Sequence, residues 1–362
     1  MAALPLPAAL DRPLGSGGRR RALVAGVAAS LVLTGCSGAA TSEPEASAPP
    51  APTTSTAAAA AAPAPAVSVL GLAEQTHRGD QLRLGAVRER TAWSTSYDVT
   101  YRSSSTTGDG GVESYTISGV LDVPRGDGPF PAVVLAHGYI DPDVYVSGQG
   151  MTRERTHLAS RGYVALHVDY RSHAGSDDDP DHRRELLLGY SADVVNAVRA
   201  LQATDEVPVA DDRIALLGRS MGGGVVLKSL VAEPGLVRAA ALWASVSSLE
   251  AENFEQFRGD ASADDAEVAE LARRGALPGD DPAWWEQNSS RPYLDRITEP
   301  VLVVHGRRDE SCPPRWADAT QDALVAAGVD SRLRWYDDAH AFGPSFGAAM
   351  DDTVAFLREQ GV

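Results

Sequence analysis

The sequence predicts an α/β sandwich: a mostly parallel, eight-stranded sheet with helices on both faces and a small helical cap inserted at the carboxyl end of its strands. Three observations carry this expectation. Short apolar runs recur at helix-length separations along the chain. Each run is nearly continuous in its hydrophobicity, which suits strands covered on both faces. One of them, Ile214 to Leu217, leads into Gly218-Arg219-Ser220-Met221-Gly222 and then an apolar, helix-like run from Val225 to Val231.

Taken in order, residues 92–101 and 113–123 alternate apolar and polar positions around a link rich in Ser, Thr, Gly and Asp, so they predict an antiparallel hairpin at one sheet edge. Buried strands are expected at 132–136, 163–168, 214–217, 239–243, 301–304 and 333–336, and helices at 151–160, 183–203, 221–232, 315–327 and 344–359. Alternation of this kind makes the sheet mostly parallel. Residues 247–298 separate two strands by more than a crossover helix needs. They hold Ala266 to Arg274 and Trp284-Trp285, and are expected to cap the pocket.

The N-terminal 66 residues do not read as folded protein. Arg19-Arg20-Arg21 precede the apolar stretch Ala22 to Val32, which is too short to span a bilayer unaided, and Leu33-Thr34-Gly35-Cys36 closes it. This segment resembles a bacterial lipoprotein signal peptide. The resemblance implies removal of residues 1–35, a diacylglycerol on the Cys36 thiol, and a protein anchored to the outer face of the bacterial cell membrane, since two acyl chains hold where one does not. An ordinary signal peptide or an uncleaved anchor helix is the alternative, and the paired arginines also suit the twin-arginine export route. Residues 36–66, rich in Ala, Pro, Ser and Thr, have too few large apolar side chains to offset the entropy of ordering them, and read as a tether. The catalytic domain is expected over 67–362.

The full chain carries a net charge of −17; without residues 1–35 it has 28 basic against 48 acidic residues. That balance argues against nucleic acid as a partner. With Cys36 lipidated, Cys312 is left without an intrachain partner, so the apolar core has to hold the fold.

The chemistry is expected around Ser220. Glycines at 218 and 222 allow the tight strand-to-helix turn that leaves a serine hydroxyl exposed at the carboxyl end of a strand. A free serine is a weak nucleophile and needs a base, an acid to orient the base, and donors for the oxyanion. Asp309 follows the strand at 301–304 and His340 follows the last strand, giving the order Ser, Asp, His of the α/β-hydrolase triad. His340 then takes and returns the Ser220 proton, while Asp309 sets its tautomer. Glu310, Asp337 and Asp338 are the rivals to Asp309, the last two lying too close in sequence to His340 to approach its ring from behind.

Five ordered segments carry a family resemblance: His137-Gly138; Arg161-Gly162-Tyr163-Val164; Asp169-Tyr170-Arg171-Ser172-His173-Ala174-Gly175-Ser176; the elbow; and Val301-Leu302-Val303-Val304-His305-Gly306 with Asp309, Pro313, Gly328 and His340-Ala341-Phe342. Over roughly residues 85–362 the chain resembles the catalytic domain of the prolyl oligopeptidase family. That implies oxyanion donors at the backbone N–H groups of Met221 and Tyr139, with the Tyr139 hydroxyl either joining them or simply walling the pocket. It also implies a loop-tying role for His137. Two departures matter. Residues 67–125 cannot hold a propeller, whose single blade needs about 40 residues, and Cys312 stands where an aliphatic residue is common.

The expected protein is therefore an exported serine hydrolase that cleaves small ester or peptide and amide bonds through an acyl-enzyme on Ser220, without a cofactor or metal. A carboxylesterase with no peptidase activity is the alternative. A noncatalytic surface-binding lipoprotein is the reading from another class, although such proteins usually lose a triad member and none is missing here. Trp284 and Trp285 are expected either to line the substrate pocket or to pack the cap. Cys312 reads as a small buried residue. The run Asp177 to His182 reads as a solvated acidic turn, since it lacks the spaced ligands of a calcium loop, and His157, His173, His182 and His305 lack metal-ligand spacing.

Overall fold

A computed structural model describes residues 67–362 apart from 107–109, 181, 183–185, 187 and 260–265. The proposed signal peptide, Cys36 and the tether lie outside the described residues. In chain order the elements are α1 (Val69–Glu74), β1 (His77–Arg90), β2 (Ser94–Thr106), β3 (Val112–Pro124), β4 (Phe130–Ala136), α2 (Thr152–Ser160), β5 (Val164–Val168), α3 (Leu188–Gln202), β6 (Val209–Arg219), α4 (Met221–Ala232) and β7 (Ala239–Trp243). There follow α5 (Glu250–Arg258), α6 (Ala266–Arg273), α7 (Pro282–Gln287), β8 (Val301–Gly306), α8 (Pro314–Ala326), β9 (Ser331–Tyr336) and α9 (Phe346–Glu359).

The sheet has nine strands in the order β1-β2-β3-β5-β4-β6-β7-β8-β9, one more than the sequence predicts. The extra strand is β1, which makes β2–β3 an inner pair rather than the edge. Its residues Arg83, Arg88, Glu89 and Arg90 are exposed, and bulges interrupt its pairing with β2, so no clean alternation marks it. A solvated edge strand is legible only through its partner. From β5 to β9 the pairing is parallel, as βαβ crossovers require.

Period-two alternation splits the strands between two cores. Val134, Leu166 and Leu216 pack with Val194, Val198, Val226 and Leu230 of α3 and α4. Val133, Leu135 and Leu217 turn to the other face, against Leu158 of α2 and Met350 and Leu357 of α9. Each such side chain, fully withdrawn from water, contributes about 1.5–3 kcal/mol, so both layers fix the sheet that carries the site.

Register then aligns the strand ends. Gly218 lies beside Ala136 on one side and Leu242 on the other, and Gly306 beside Tyr336. The loops leaving β4, β6, β8 and β9 therefore emerge at one end of the sheet, where parallel strands place their sites. Residues 247–298 carry α5, α6, α7 and a 3₁₀ turn at Arg291–Arg296. Within them, Trp285, Leu271 and Ala276 form a small core of their own.

Candidate active site

Strand β6 ends at Arg219, helix α4 begins at Met221, and Ser220 between them has φ 56° and ψ −123°. A non-glycine residue in this region is strained and persists only where its surroundings over-determine it. Three backbone bonds do so: Ser220 N to Trp243 O at 2.9 Å, Gly223 N to Ser220 O at 2.9 Å, and Val246 N to Ser220 O at 3.2 Å. The flanking glycines are needed for close approach. A Cβ on Gly218 would lie 2.2 Å from Gly222 O, and one on Gly222 would lie 1.9 Å from Ala136 O.

Asp309 is buried, and His340 Nδ1 donates to its Oδ2 at 2.9 Å and approaches Oδ1 at 3.1 Å. The backbone N–H groups of Ser311 and Cys312 donate to Oδ1 at 2.9 and 2.8 Å and lock the carboxylate in place. An ionised carboxylate only accepts, so the imidazole proton sits on Nδ1 and Nε2 is left as an acceptor. The rival carboxylates are engaged elsewhere. Glu310 is exposed, and Asp337 pairs with Arg308 at 2.9 Å. Asp338 accepts from the N–H groups of Ala339, Gly343 and Ser345, and although burial opposes it, those bonds hold its carboxyl below the usual range. Asp338 thus folds the loop that presents His340.

Further residues that sequence reasoning missed hold the same loop. Arg219 donates to Glu154 Oε1 and to the main-chain oxygen of His340, each at 3.2 Å. Arg153 donates to Ala341 O at 2.7 Å and Phe342 O at 2.9 Å. Glu154 is 1% exposed, and burial pushes its carboxyl above the ordinary value despite the Arg219 charge. An arginine beside the elbow serine was the one local signal; its partners are far away in sequence.

The loop after β4 runs against the elbow, where a Cβ on Gly138 would lie 3.0 Å from Ser220 Cβ. His137 is fully buried, its Nδ1 2.6 Å from Gly138 O and its Nε2 3.3 Å from Asp169 O. Burial chiefly pushes the imidazole down to about 4. Its ring stacks on Tyr145, whose hydroxyl donates to Asp169 at 2.7 Å. This neutral, enclosed ring ties loops together and has no access to substrate.

Ser220, Met221, Tyr139 and His340 line one cavity of about 540 Å³, within the usual range for small-molecule sites. Among the described residues Ser220 Oγ makes no hydrogen bond to His340; its polar neighbour is Cys312 Sγ at 4.0 Å. Burial first, then the Asp309 charge, push the Cys312 thiol up to about 12, so it stays protonated and is no rival nucleophile.

Two expectations need correction. Trp285 lines the cavity, with its indole N–H on Ala276 O at 3.0 Å, but Trp284 is not among the lining residues and packs edge-on against Trp285. Successive helical residues point about 100° apart, so one tryptophan of the pair faces the cavity and the other does not. Nor is the acidic turn wholly solvated. Asp179 is buried against Arg171, which also pairs with Asp193, and Asp177 accepts from Thr116 N; Asp181 lies outside the described residues.

The model of the prolyl oligopeptidase family matches residues 150–360. Among curated proteins, a 2,6-dihydropseudooxynicotine hydrolase of Paenarthrobacter nicotinovorans is 27% identical over 217 residues, 56% of this chain and 51% of that protein. A dipeptidyl aminopeptidase BIII of Pseudoxanthomonas mexicana is 28% identical over 220 residues, 56% of this chain and 28% of that one. The chain therefore spans about half, or less, of the length of these relatives. Among solved structures, an acetyl xylan esterase from Paenibacillus sp. R4 superposes with a TM-score of 0.57 at 20% identity, covering 80% of this chain and 92% of that one. This likeness is one of fold.

Proposed function

The chain belongs to the prolyl oligopeptidase family, and from that premise we propose that it is a serine hydrolase of the α/β-hydrolase type that cleaves small ester or amide bonds through an acyl-enzyme on Ser220. The observation that carries this reading is the His340–Asp309 pair at 2.9 Å, with His340 and Ser220 lining one cavity.

In this reading His340 Nε2 removes the Ser220 proton as Oγ attacks the carbonyl carbon, and returns it to the leaving group as the tetrahedral intermediate collapses. Water, activated by the same nitrogen, then releases the acid and restores the serine. The N–H groups of Met221 and Tyr139 take the oxyanion; both residues border the cavity beside Ser220. Asp309 stays ionised throughout and stabilises the imidazolium.

Residues 77–124 supply three strands of the catalytic sheet itself, so they do not build a separate sieve over the cavity. Tyr139 at its mouth is 55% exposed. A mouth this open admits an ester or an amide leaving group, so the substrate panels decide between carboxylesterase and peptidase. A fluorophosphonate label, a panel of nitrophenyl esters and a panel of aminoacyl nitroanilides test it. Ser220→Ala should fold and lose both labelling and turnover, and persistent labelling would refute the nucleophile. Turnover of anilides without esters would favour the peptidase, and a wild-type protein that neither labels nor turns over would be the noncatalytic binding module.

Export and anchoring through Cys36 belong to the same proposal and are supported by the arginine-led apolar segment and Leu33-Thr34-Gly35-Cys36. Cys36→Ser should release the protein from the membrane fraction or leave an uncleaved precursor. Unchanged membrane partition of a fully cleaved product excludes the anchor.

A further inference from the structure

Four residues of α4, Met221, Gly224, Val225 and Lys228, line the cavity. Their spacing of three and four is a single stripe of the helix, so the cavity follows α4 away from Ser220 for two turns, about 10 Å. Gly224 keeps that path open, since a Cβ there would lie 2.9 Å from Val246 Cγ2. The same cavity is lined by the apolar and aromatic side chains of Val225, Tyr190, Phe254 and Trp285.

Its far end is charged. Lys228 Nζ lies 2.9 Å from Glu250 Oε1, with the two side chains 7% and 16% exposed. Glu250 opens α5 in the inserted segment, so the pair joins the elbow helix to that segment. A buried ion pair recovers its desolvation cost only where the remaining donors and acceptors are satisfied. Lys228 has three donors and the Glu250 carboxylate several acceptor sites, and among the described residues neither side chain has a second polar partner. Asn253 beside them is committed, bonding Ser247 N and O at 2.8 and 3.0 Å.

We propose that the Lys228–Glu250 pair is a specificity subsite that receives the terminal hydroxyl or amide of an acyl chain whose apolar middle lies along α4. The proposal rests on Ser220 carrying the acyl group. A neutral hydroxyl donates to Glu250 while accepting from Lys228 and leaves the pair intact. A charged terminus matches one partner and strands the other. The acyl half of the substrate is assigned to this path because Lys228 and Trp285 are buried, whereas Tyr139 and Phe257 mark an exposed mouth. Between the two half-reactions the leaving group departs and water enters, and both need the mouth; the group that stays on Ser220 occupies the closed end.

The test compares nitrophenyl esters of ω-hydroxyoctanoate and nonanoate, which differ only by a hydroxyl in place of a methyl. The wild-type enzyme should favour the hydroxy ester at least tenfold in kcat/KM, a modest share of the discrimination available to a site built around a hydroxyl, roughly 10⁴-fold or more. In Lys228→Met the ratio should fall to one or below, and Glu250→Leu should lower it as well. The wild-type comparison needs no variant to fold. A wild-type preference for nonanoate, or a hydroxyl preference that survives in folded Lys228→Met, overturns the subsite. Nitrophenyl acetate, too short to reach Lys228, separates the two claims. Acetate turnover without a hydroxyl preference overturns the subsite and leaves the hydrolase, while absence of turnover on every ester overturns both.

Discussion

Arg219, the residue immediately before Ser220, donates to the main-chain oxygen of His340 at 3.2 Å, so one guanidinium ties the turn at Ser220 to the loop that carries His340. The same side chain is anchored by buried Glu154. A rigid tie of this kind sets where the imidazole stands when substrate arrives, and a displacement of 1 Å is enough to cost about 10²-fold in rate.

Arg219→Met should therefore lower kcat by about 10–100-fold while leaving KM nearly unchanged, with Arg219→Lys restoring part of the loss. Glu154→Gln should act in the same direction and more weakly. Steady-state kinetics on a short nitrophenyl ester check this, and a rise in KM at constant kcat would show that Arg219 serves binding instead.

Asp309→Asn keeps the shape of the loop but offers His340 an amide donor where an acceptor is needed. By analogy with serine proteases, turnover should fall on the order of 10⁴-fold at neutral pH with substrate binding little affected. Glu310→Gln, at an exposed position, should cost far less. Purified folded variants decide the matter: a larger loss at Glu310 would shift the acid by one residue.

Folding stability should fall on acidification. Burial holds His137 near 4, below its ordinary 6.5, so the unfolded chain takes up this proton first as the pH drops. The stability tied to keeping His137 neutral is full above about pH 6.5 and is lost toward pH 4, amounting to about 3 kcal/mol for this group. Burial shifts His167, His173 and His305 in the same direction. Urea midpoints measured from pH 7 to 4 test the slope, and a midpoint that rises on acidification would contradict it.

Cys312 should resist alkylation by iodoacetamide at pH 8 in the native protein, because its thiol is buried and protonated. It should react readily in denaturant. Peptide mapping of the modified residue is the readout, and rapid native labelling would mean that the thiol is open to the cavity.

Much of this protein was legible along the chain. The apolar runs mark the parallel strands because strands covered on both faces have no solvated positions, and all eight expected strands are present. The elbow was legible because its requirement is local: Gly218 and Gly222 answer to contacts at 2.2 and 1.9 Å that no larger residue permits. The order Ser, Asp, His could be read for a similar reason, since each residue needs only to follow its own strand.

Register and burial decided the rest. Strand β1 is charged and bulged, and its place at the edge is set by β2 rather than by its own pattern. Which tryptophan faces the cavity depended on how α7 is rotated against Leu271 and Ala276. Arg219 met the His340 carbonyl, and Lys228 met Glu250, only once the sheet had aligned four loops and the inserted segment had folded back over α4. Periodicity reports which face of an element avoids water; it carries no information about which distant polar group will neutralise a charge buried there, and in this chain those pairings set the geometry around Ser220.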